Sequence, residues 1–467
     1  MTAGDPTPSL MKQLGLVFAA GMSQMLVVID YTATAVALPS MARDFDVSAQ
    51  SLQWVITGYI LSFSAVLAVA GPLGDRFGRK RLLLVGIVAF GGCSAWVGAA
   101  DSVTELVISR IALGIGGGLL FPLSAAVVGA EANRDTLPRL MSFLTGVATI
   151  GMAVGPVVGG VFTELVDWRW VFYINIPISM VAIVLIMVLS YESRDPEASG
   201  RIDIPGVLLL LIAIGGLSIA VSFVAEHPWP VWGGIGAASL FFTVLFVVRE
   251  LTCRSPIIDL RLMNNRTFAG YLLGGSLSNS CWCVLVFATT LYLQEVRKED
   301  PMTAGLQFLY MSVPVAMAGF LGPVVQRRVG TRSMLIIATA IQTAACVVFW
   351  ISDLSPWLAI GLLVVGFGCS WGWSMSQAGG IATIPSNKVG LASGSLLTGM
   401  VLSANIAVVI SATVIRATGG EDMTDYGPGV TSSYLFALGL AAAALVGAVL
   451  VIPRGRRGAA GPETTTT

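Results

Sequence analysis

The stretch GPLGDRFGRKRLLLVG, residues 71–86, has a counterpart later in the chain, GPVVQRRVGTRSML at residues 322–335. Each begins with Gly-Pro at the end of an apolar segment and continues into a basic turn. These two stretches start 251 residues apart, and a second match, the triplet LTG at 144–146 and 397–399, is offset by 253 residues. Because both matches give nearly the same register, they predict a duplicated unit of six helices, which is typical of transporters. The alternative is that such short matches arise by chance in glycine-rich membrane helices.

The composition places the chain in a membrane. It is 55% hydrophobic and only 11% charged, with a mean hydropathy of +0.83, whereas a soluble domain is roughly one quarter charged. A helix of about 20 apolar residues crosses roughly 30 Å of hydrocarbon. We identify fourteen such spans, at residues 14–39, 53–73, 82–100, 104–130, 138–163, 171–191, 204–224, 230–249, 267–294, 304–326, 333–352, 357–378, 390–415 and 432–453.

The repeat register maps spans 1–6 onto spans 9–14 and leaves spans 7 and 8 as an insert. The sequence therefore predicts an all-α polytopic membrane protein with two pseudo-symmetric six-helix bundles and two inserted helices. The expected divisions are an N-terminal bundle at 1–192, the insert at 193–255, and a C-terminal bundle with a disordered tail at 256–467.

The distribution of Lys and Arg predicts the orientation. With fourteen spans both termini lie on one side, and 20 of the 26 basic residues fall at that side against five at the other. Basic residues are enriched in cytoplasmic loops, so both termini should be cytoplasmic in a multi-pass plasma-membrane protein. The remaining basic residue, Arg110, falls inside span 4. The first span is too long for a signal-peptide core and should be retained.

Span 1 contains an acid in the sequence VVIDYTATAVALP, residues 27–39. A carboxylate near the bilayer centre costs about 2.5 to 3.5 kcal/mol on insertion scales, so it is usually retained for an ion pathway or a buried partner. Asp30 lies roughly 13 Å below the outer end of its span and Arg110 roughly 9 Å below the outer end of span 4. The pair could be a static link between two helices or a proton site. The sequence favours the proton site because it offers no other clear deep carboxylate.

Span 5 carries the sequence GMAVGPVVGG, residues 151–160. Gly151, Gly155 and Gly159 share one helical face and allow a neighbouring backbone to approach closely, while Pro156 leaves a carbonyl free and bends the helix.

These residues resemble the major facilitator superfamily, specifically its fourteen-helix drug:proton antiporter branch, over nearly the whole chain. The span 5 sequence is similar to the motif that marks exporters of the family, and the helix 1 pattern and Arg110 also match branch motifs. QWVITGY, with Gln53, Trp54 and Tyr59, looks like the branch as well, although interface positioning is the commoner role of such aromatics. The resemblance extends to a cytoplasmic gating loop (Gly71, Leu73, Asp75, Arg76, Gly78, Arg79 and Lys80) and to the antiporter motif (Gly151, Gly155, Pro156, Gly159 and Gly160).

The sequence departs from the family pattern at two places. Leu113 stands where the helix 4 motif usually has a glutamine, so a hydrogen-bonding partner is missing. Spans 9–14 contain no carboxylate in their interiors, unlike those of well-known multidrug members. Neutral polar and aromatic residues are the candidates for a substrate pocket there: Asn279, Trp282, Tyr310, Trp371, Trp373, Gln377 and Asn405. Each of them could equally face lipid or pack between helices.

The resemblance implies proton-coupled efflux of small, largely hydrophobic drugs or antibiotics by alternating access. A lone membrane carboxylate predicts neutral, zwitterionic or monocationic substrates. The alternatives are a metabolite symporter or uniporter of the same fold, which the span 5 motif disfavours, and a sensor or scaffold without transport. No cofactor, metal or nucleic acid is expected, because the chain has no phosphate-binding loop and no metal-spaced His or Cys cluster. The Cys281–Cys283 pair favours apolar packing over a metal site. The expected state is a bacterial monomer driven by the proton gradient.

Overall fold

The computed structural model describes residues 10–47, 52–131, 136–193, 203–224, 227–253, 256–351, 357–384, 389–418 and 427–453, and within them every regular element is a helix. The predicted disordered tail and most of the 191–203 loop lie outside these residues. The helices of spans 1 to 14 are Leu10–Asp44, Gln53–Phe77, Arg79–Gly98, Val103–Glu131, Leu137–Leu165, Trp170–Tyr173 with Asn175–Leu189, Ile204–Phe223, Trp229–Thr252, Arg266–Leu291 with Tyr292–Val296, Pro301–Gln307 with Leu309–Val329, Thr331–Ile351, Trp357–Ala382, Val389–Thr418 and Gly427–Leu450.

The predicted fold class is confirmed, with thirteen helices in the described residues long and apolar enough to cross a membrane and a bent pair that supplies the fourteenth. That pair is span 10, where the portions Pro301–Gly319 and Leu321–Val329 meet at 58°. The helix contains Pro314 and Pro323. Each proline removes one backbone hydrogen bond and crowds the preceding turn, which accounts for bending in this helix.

The same helix pairs pack together in the two halves. Span 1 packs along span 5, span 2 along span 4 and span 3 along span 4, and the equivalent pairs 9 with 13, 10 with 12 and 11 with 12 recur. Glycine supplies a second correspondence, because Gly78 and Gly330 both have positive φ, +105° and +83°, and begin the turn before the third helix of their half. They are 252 residues apart, which agrees with the register of the sequence matches.

The halves contact each other mainly through two helix pairs. Span 5 packs against span 10, and span 2 packs against span 13. Spans 7 and 8 pack on each other, and span 7 also contacts spans 2 and 13. An apolar cluster joins these elements, with Ala68 from span 2, Leu210 from span 7, Leu402 from span 13 and Ile258 from the segment after span 8. The inserted helices therefore lie beside the junction of the two halves.

Ionic and capping contacts hold the start of span 7 and the end of span 8 together. The Asp203 carboxylate accepts hydrogen bonds from Arg249 Nε at 2.7 Å and from the Gly206 amide at 3.0 Å, which caps span 7. Burial acts to raise the pKa of Asp203, but the hydrogen bonds from Arg249 and Gly206 outweigh it and hold that pKa below its usual value. The carboxylate therefore stays charged and keeps the two helices paired.

Candidate functional site

Asp30 and Arg110 form a buried ion pair between spans 1 and 4. Arg110 Nη1 donates to Asp30 Oδ2 at 2.6 Å, and both side chains are 0% exposed. Arg110 Nε donates to the carbonyl oxygen of Val55 on span 2 at 3.0 Å. Asp30 Oδ1 and Arg110 Nη2 have no hydrogen-bond partner among the described residues. The pair is thus dehydrated and incompletely satisfied, and such a pair is sensitive to protonation.

Aromatic rings cover the guanidinium. The Tyr59 ring centroid lies 4.4 Å from Arg110 Cζ, and the Phe172 ring centroid lies 5.5 Å from it. Glycines of span 4 let the helices come this close, since a Cβ at Gly114 would overlap the backbone oxygen of Tyr59. Leu113, at the position of the usual glutamine, is fully buried and apolar. The pair therefore receives support from ring faces and a backbone carbonyl in the absence of that glutamine.

The span 5 motif touches both halves of the protein. Gly155 and Gly159 face Thr32 and the Ala33 backbone on span 1, so that a Cβ at either glycine would overlap span 1 atoms. Gly160 faces the other way, where a Cβ would overlap the carbonyl oxygen of Pro301 at the start of span 10. Small residues in this pattern therefore bring span 5 into backbone contact with spans 1 and 10 at once.

The same contact continues along the two helices. The carbonyl oxygen of Pro156 faces Gly305, where a Cβ would overlap it, and Ser312 Oγ donates to the Met152 carbonyl at 3.2 Å. The two halves are therefore joined through backbone atoms at this interface.

Further contacts join spans 1 and 9 at the end predicted to be extracellular. The last turn of span 9, Tyr292–Val296, is a π-helix, a form of helix that is often found at functional positions. From this turn Gln294 Nε2 donates a hydrogen bond to the Val36 carbonyl oxygen at 2.7 Å. The neighbouring Glu295 forms an ion pair with Arg43, with 3.7 Å between Oε1 and Nη1. Together with the span 5 contacts, these bonds close this end of the protein between the halves.

The loop predicted to act as a gate forms the following contacts within the first half. Asp75 Oδ1 accepts from Arg79 Nε at 2.9 Å, and Lys80 Nζ donates to the Ser190 carbonyl at 2.6 Å. Arg76 lies near the Phe77 ring, 5.3 Å from its centroid. The loop therefore ties the ends of spans 2, 3 and 6 together.

Gly78→Ala should lower the stability of this loop. At a φ of +105° an alanine is strained by about 2 kcal/mol, and its Cβ would lie 2.5 Å from Glu192 Oε1. Gly71→Ala is the matched control, since no atom lies within 4 Å of a Cβ there. Thermal unfolding of the purified proteins in detergent should show a lower midpoint for Gly78→Ala alone. Equal midpoints for the two variants would contradict this account.

The candidate pocket residues separate into two groups. Asn279 Nδ2 donates to the Met400 carbonyl at 3.0 Å, Gln377 Nε2 lies 3.5 Å from Met400 Sδ, and the Trp282 ring lies 6.0 Å from the Tyr31 ring. These side chains bring spans 9, 12 and 13 together and reach span 1.

Asn405 is fully buried, and both its side-chain polar atoms lack a partner among the described residues. The other candidates lie apart. Tyr310 is 49% exposed on an apolar helix face, Trp371 Nε1 donates to Ala318 of span 10, and Trp373 is half-buried.

Two cavities lie away from these residues. One of about 340 Å³ lies between spans 7 and 8 and includes Trp232 in its wall, and another of about 500 Å³ lies between spans 3 and 6 beside Val88. Neither has Asp30 or Asn279 in its wall.

Sequence reasoning missed several buried polar residues. Tyr59 was visible only as part of a family pattern, and nothing in the sequence separates Gln294 from the other neutral polar residues of the spans. Glu131 and Glu250 are nearly fully buried at the last turns of spans 4 and 8, where helix ends usually contact water. Glu131 accepts from the Ser190 hydroxyl at 2.6 Å and Glu250 from the Ile258 amide at 3.0 Å. Both lie at the ends of their spans, whereas Asp30 lies near the middle of span 1.

Comparison with known proteins agrees with this architecture. The sequence matches the family profile of the Major Facilitator Superfamily over residues 20–305. It is 33% identical to the lincomycin resistance protein of Streptomyces lincolnensis over 347 residues, which cover 73% of this chain and 70% of that protein. It is 29% identical to the multidrug resistance protein Stp of Mycobacterium tuberculosis over 423 residues, covering 87% and 76%.

Solved structures share the fold at low identity. A D-xylose-proton symporter superposes with a TM-score of 0.65 at 16% identity over 95% of this chain and 98% of its own. An autoinhibited peptide transporter of the POT family gives 0.64 at 15% identity, with coverages of 94% and 95%. The chain therefore belongs to the Major Facilitator Superfamily and is a multi-pass membrane transporter, not an enzyme.

Proposed function

We propose that the protein is a proton-coupled exporter of small, largely hydrophobic drugs or antibiotics. The observation that carries this proposal is the fully buried Asp30–Arg110 pair, in which one carboxylate oxygen has no partner among the described residues. The resistance functions named for the Streptomyces and Mycobacterium relatives support export as the direction. No cofactor is needed, because the proton gradient supplies the energy.

Protonation of Asp30 changes the net charge of the Asp30–Arg110 pair. The charged carboxylate is stabilised by Arg110, and removal of that charge leaves a buried guanidinium without its counter-ion. The two protonation states therefore favour different arrangements of spans 1, 2 and 4. A proton taken up from outside would favour drug release and return to the inward state, and its loss to the cytoplasm would restore drug affinity.

The closed end of the protein defines one state of the transport cycle. If the Lys and Arg asymmetry sets the orientation, the contacts of Gln294 with Val36 and of Gly160 with Pro301 close the extracellular side. This form is then open or occluded toward the cytoplasm, where both termini lie. Outward opening requires that these contacts break while the gating-loop side closes, which is the rocking of two bundles around a central site.

The substrate site would lie between the halves, near Asn279, Trp282, Gln377 and Asn405. These groups are neutral, and Asp30 is already paired with Arg110, so the site offers no free negative charge to a dication. Amide and indole groups suit large, partly apolar molecules that are neutral, zwitterionic or singly positive.

The two halves of the chain are proposed to move against each other. Residues 1–192 and 256–467 would act as the two moving bundles, with the pair of helices in 193–255 at their junction. The repeated helix pairs and the register shared by Gly78 and Gly330 support this division. We also propose that the protein is a monomer in a bacterial plasma membrane.

An accumulation assay tests the function. In cells lacking their own pumps, the wild-type protein should lower accumulation of a fluorescent monocationic dye, and a protonophore should abolish the difference from the vector. A bis-quaternary compound of similar size should accumulate equally with and without the protein. Equal export of both compounds would overturn the charge restriction. If the wild type matched the vector across neutral, zwitterionic and monocationic substrates, the exporter proposal would be wrong.

A further inference from the structure

The position of Tyr59 beside the charged pair has a consequence beyond packing. This side chain is almost fully buried on span 2, and its ring centroid lies 4.4 Å from Arg110 Cζ. Cation–π contacts gain strength where water is excluded. The ring face is therefore a second negative surface for the guanidinium, beside the Asp30 carboxylate.

Hydrogen bonds satisfy only part of the Arg110 guanidinium. Its Nη1 reaches Asp30 and its Nε reaches Val55, while Nη2 has no partner among the described residues. A guanidinium has five N–H donors in a fixed plane, so most of its donor capacity is unused here. When Asp30 takes up a proton, Arg110 keeps the Val55 carbonyl and the ring faces as its partners.

The surroundings fix the tyrosine ring. Tyr59 stacks on Phe63, one turn along span 2, with ring centroids 6.0 Å apart. Its hydroxyl lies beside Gly117 of span 4, where a Cβ would be 3.1 Å away, and has no hydrogen-bond partner among the described residues. The ring is therefore packed between Phe63, span 4 and the guanidinium of Arg110.

We infer that Tyr59 is a positioning residue whose ring stabilises the guanidinium of Arg110 when Asp30 is neutral. This inference rests on the proposed role of the Asp30–Arg110 pair. The ring needs no charge on Asp30 to make this contact, whereas the carboxylate competes for the guanidinium only when it is charged. The ring therefore stabilises the protonated state more than the charged state, and it compensates for the apolar Leu113.

Other ionisable side chains near the pair are few. Tyr31, next to Asp30 on span 1, faces Trp282 and Cys283 of span 9. Span 5 presents Gly155, and span 6 presents Phe172. Among the described residues, Arg110 is therefore the charged group that faces Asp30.

A double-mutant cycle on thermal unfolding tests the inference without any transport measurement. Asp30→Asn mimics the neutral acid, so Tyr59→Leu should lower the unfolding midpoint more in the Asp30→Asn protein than in the wild type. Tyr434→Leu is the matched control, because it makes the same change at a fully buried tyrosine of the other half, which stacks on Phe349 and not on Arg110, and its effect should be equal in both backgrounds. Tyr59→Phe keeps the ring and should restore most of the midpoint. Should Tyr59→Leu fail to fold, Tyr59→Met takes its place in the cycle.

A pH profile of transport in proteoliposomes gives a second readout. The pH at half-maximal dye exchange should move down by about one unit in Tyr59→Leu, since the protonated state loses a stabilising contact. Equal midpoint losses in the two backgrounds would overturn the inference, as would a profile shifted upward. If Asp30→Asn transported like the wild type, the proton-site proposal would fail, while the unfolding cycle would still decide the role of Tyr59.

Discussion

Cells expressing Asp30→Asn should accumulate a monocationic dye to the level of vector controls, a loss of at least tenfold in proton-driven export. Asparagine has nearly the shape of aspartate and still accepts a hydrogen bond from Arg110, but it cannot take up or release a proton. The substitution also leaves Arg110 without its counter-ion, which costs roughly 3 kcal/mol for a buried pair. The measurement is dye accumulation at matched expression, with and without a protonophore.

Asp44→Asn is the control for this experiment. It makes the same chemical change at the C-terminal end of the same helix, where the Asp44 side chain is 44% exposed and pairs with Arg169 at 2.9 Å. Exposed pairs contribute at most about 1 kcal/mol, so this variant should export normally. Normal export by Asp30→Asn would instead favour the static ion pair that the sequence also allowed, and would require a proton site elsewhere.

Gly160→Ala should abolish export by preventing closure of the side predicted to be extracellular. The new Cβ would overlap the Pro301 carbonyl oxygen and lie 3.2 Å from Gly305 Cα, and neither backbone atom can rotate away. Overpacking of this kind costs about 1 to 3 kcal/mol, which shifts a balanced equilibrium toward the outward-open state by about 5- to 150-fold. Dye accumulation should therefore approach the vector level.

Gly146→Ala is the matched control on the same helix, because no atom lies within 4 Å of its Cβ. Closure is also measurable directly. A cysteine introduced at the buried Val36 should react with a membrane-impermeant thiol reagent from outside in the Gly160→Ala protein, and not in the Gly146→Ala protein. Protection of that cysteine in both proteins would show that the span 5 contact does not control the outer side.

Hydropathy predicted the helices well because helix length is set by the bilayer. All fourteen spans were found, with most bounds shifted by only a few residues. Span 1 is the largest exception, since its helix continues past Pro39 to Asp44. A span identified by hydropathy ends at the first charged residues, but the backbone can remain helical beyond the hydrocarbon layer. The bend of span 10 was not predicted, although its prolines were visible.

The site was only partly predictable. Depth along a helix follows from residue counting, and similar depths suggested the pairing of Asp30 with Arg110. Rotation about the helix axis depends on packing, which a single sequence does not reveal. For that reason Tyr59 at the guanidinium, Gln294 at Val36 and the exposed face of Tyr310 all required the structure.

The pairing of Asp30 with Arg110 also determines the electric charge of the site. The charged pair is neutral overall, whereas the protonated site carries one positive charge. At an effective dielectric constant of about 20, that charge raises the energy of a monovalent cation about 10 Å away by about 1.7 kcal/mol, more than a tenfold change in affinity. A proton and a cationic drug would therefore exclude each other through space, without sharing a single atom, and a neutral drug would need a conformational change to be coupled as strongly.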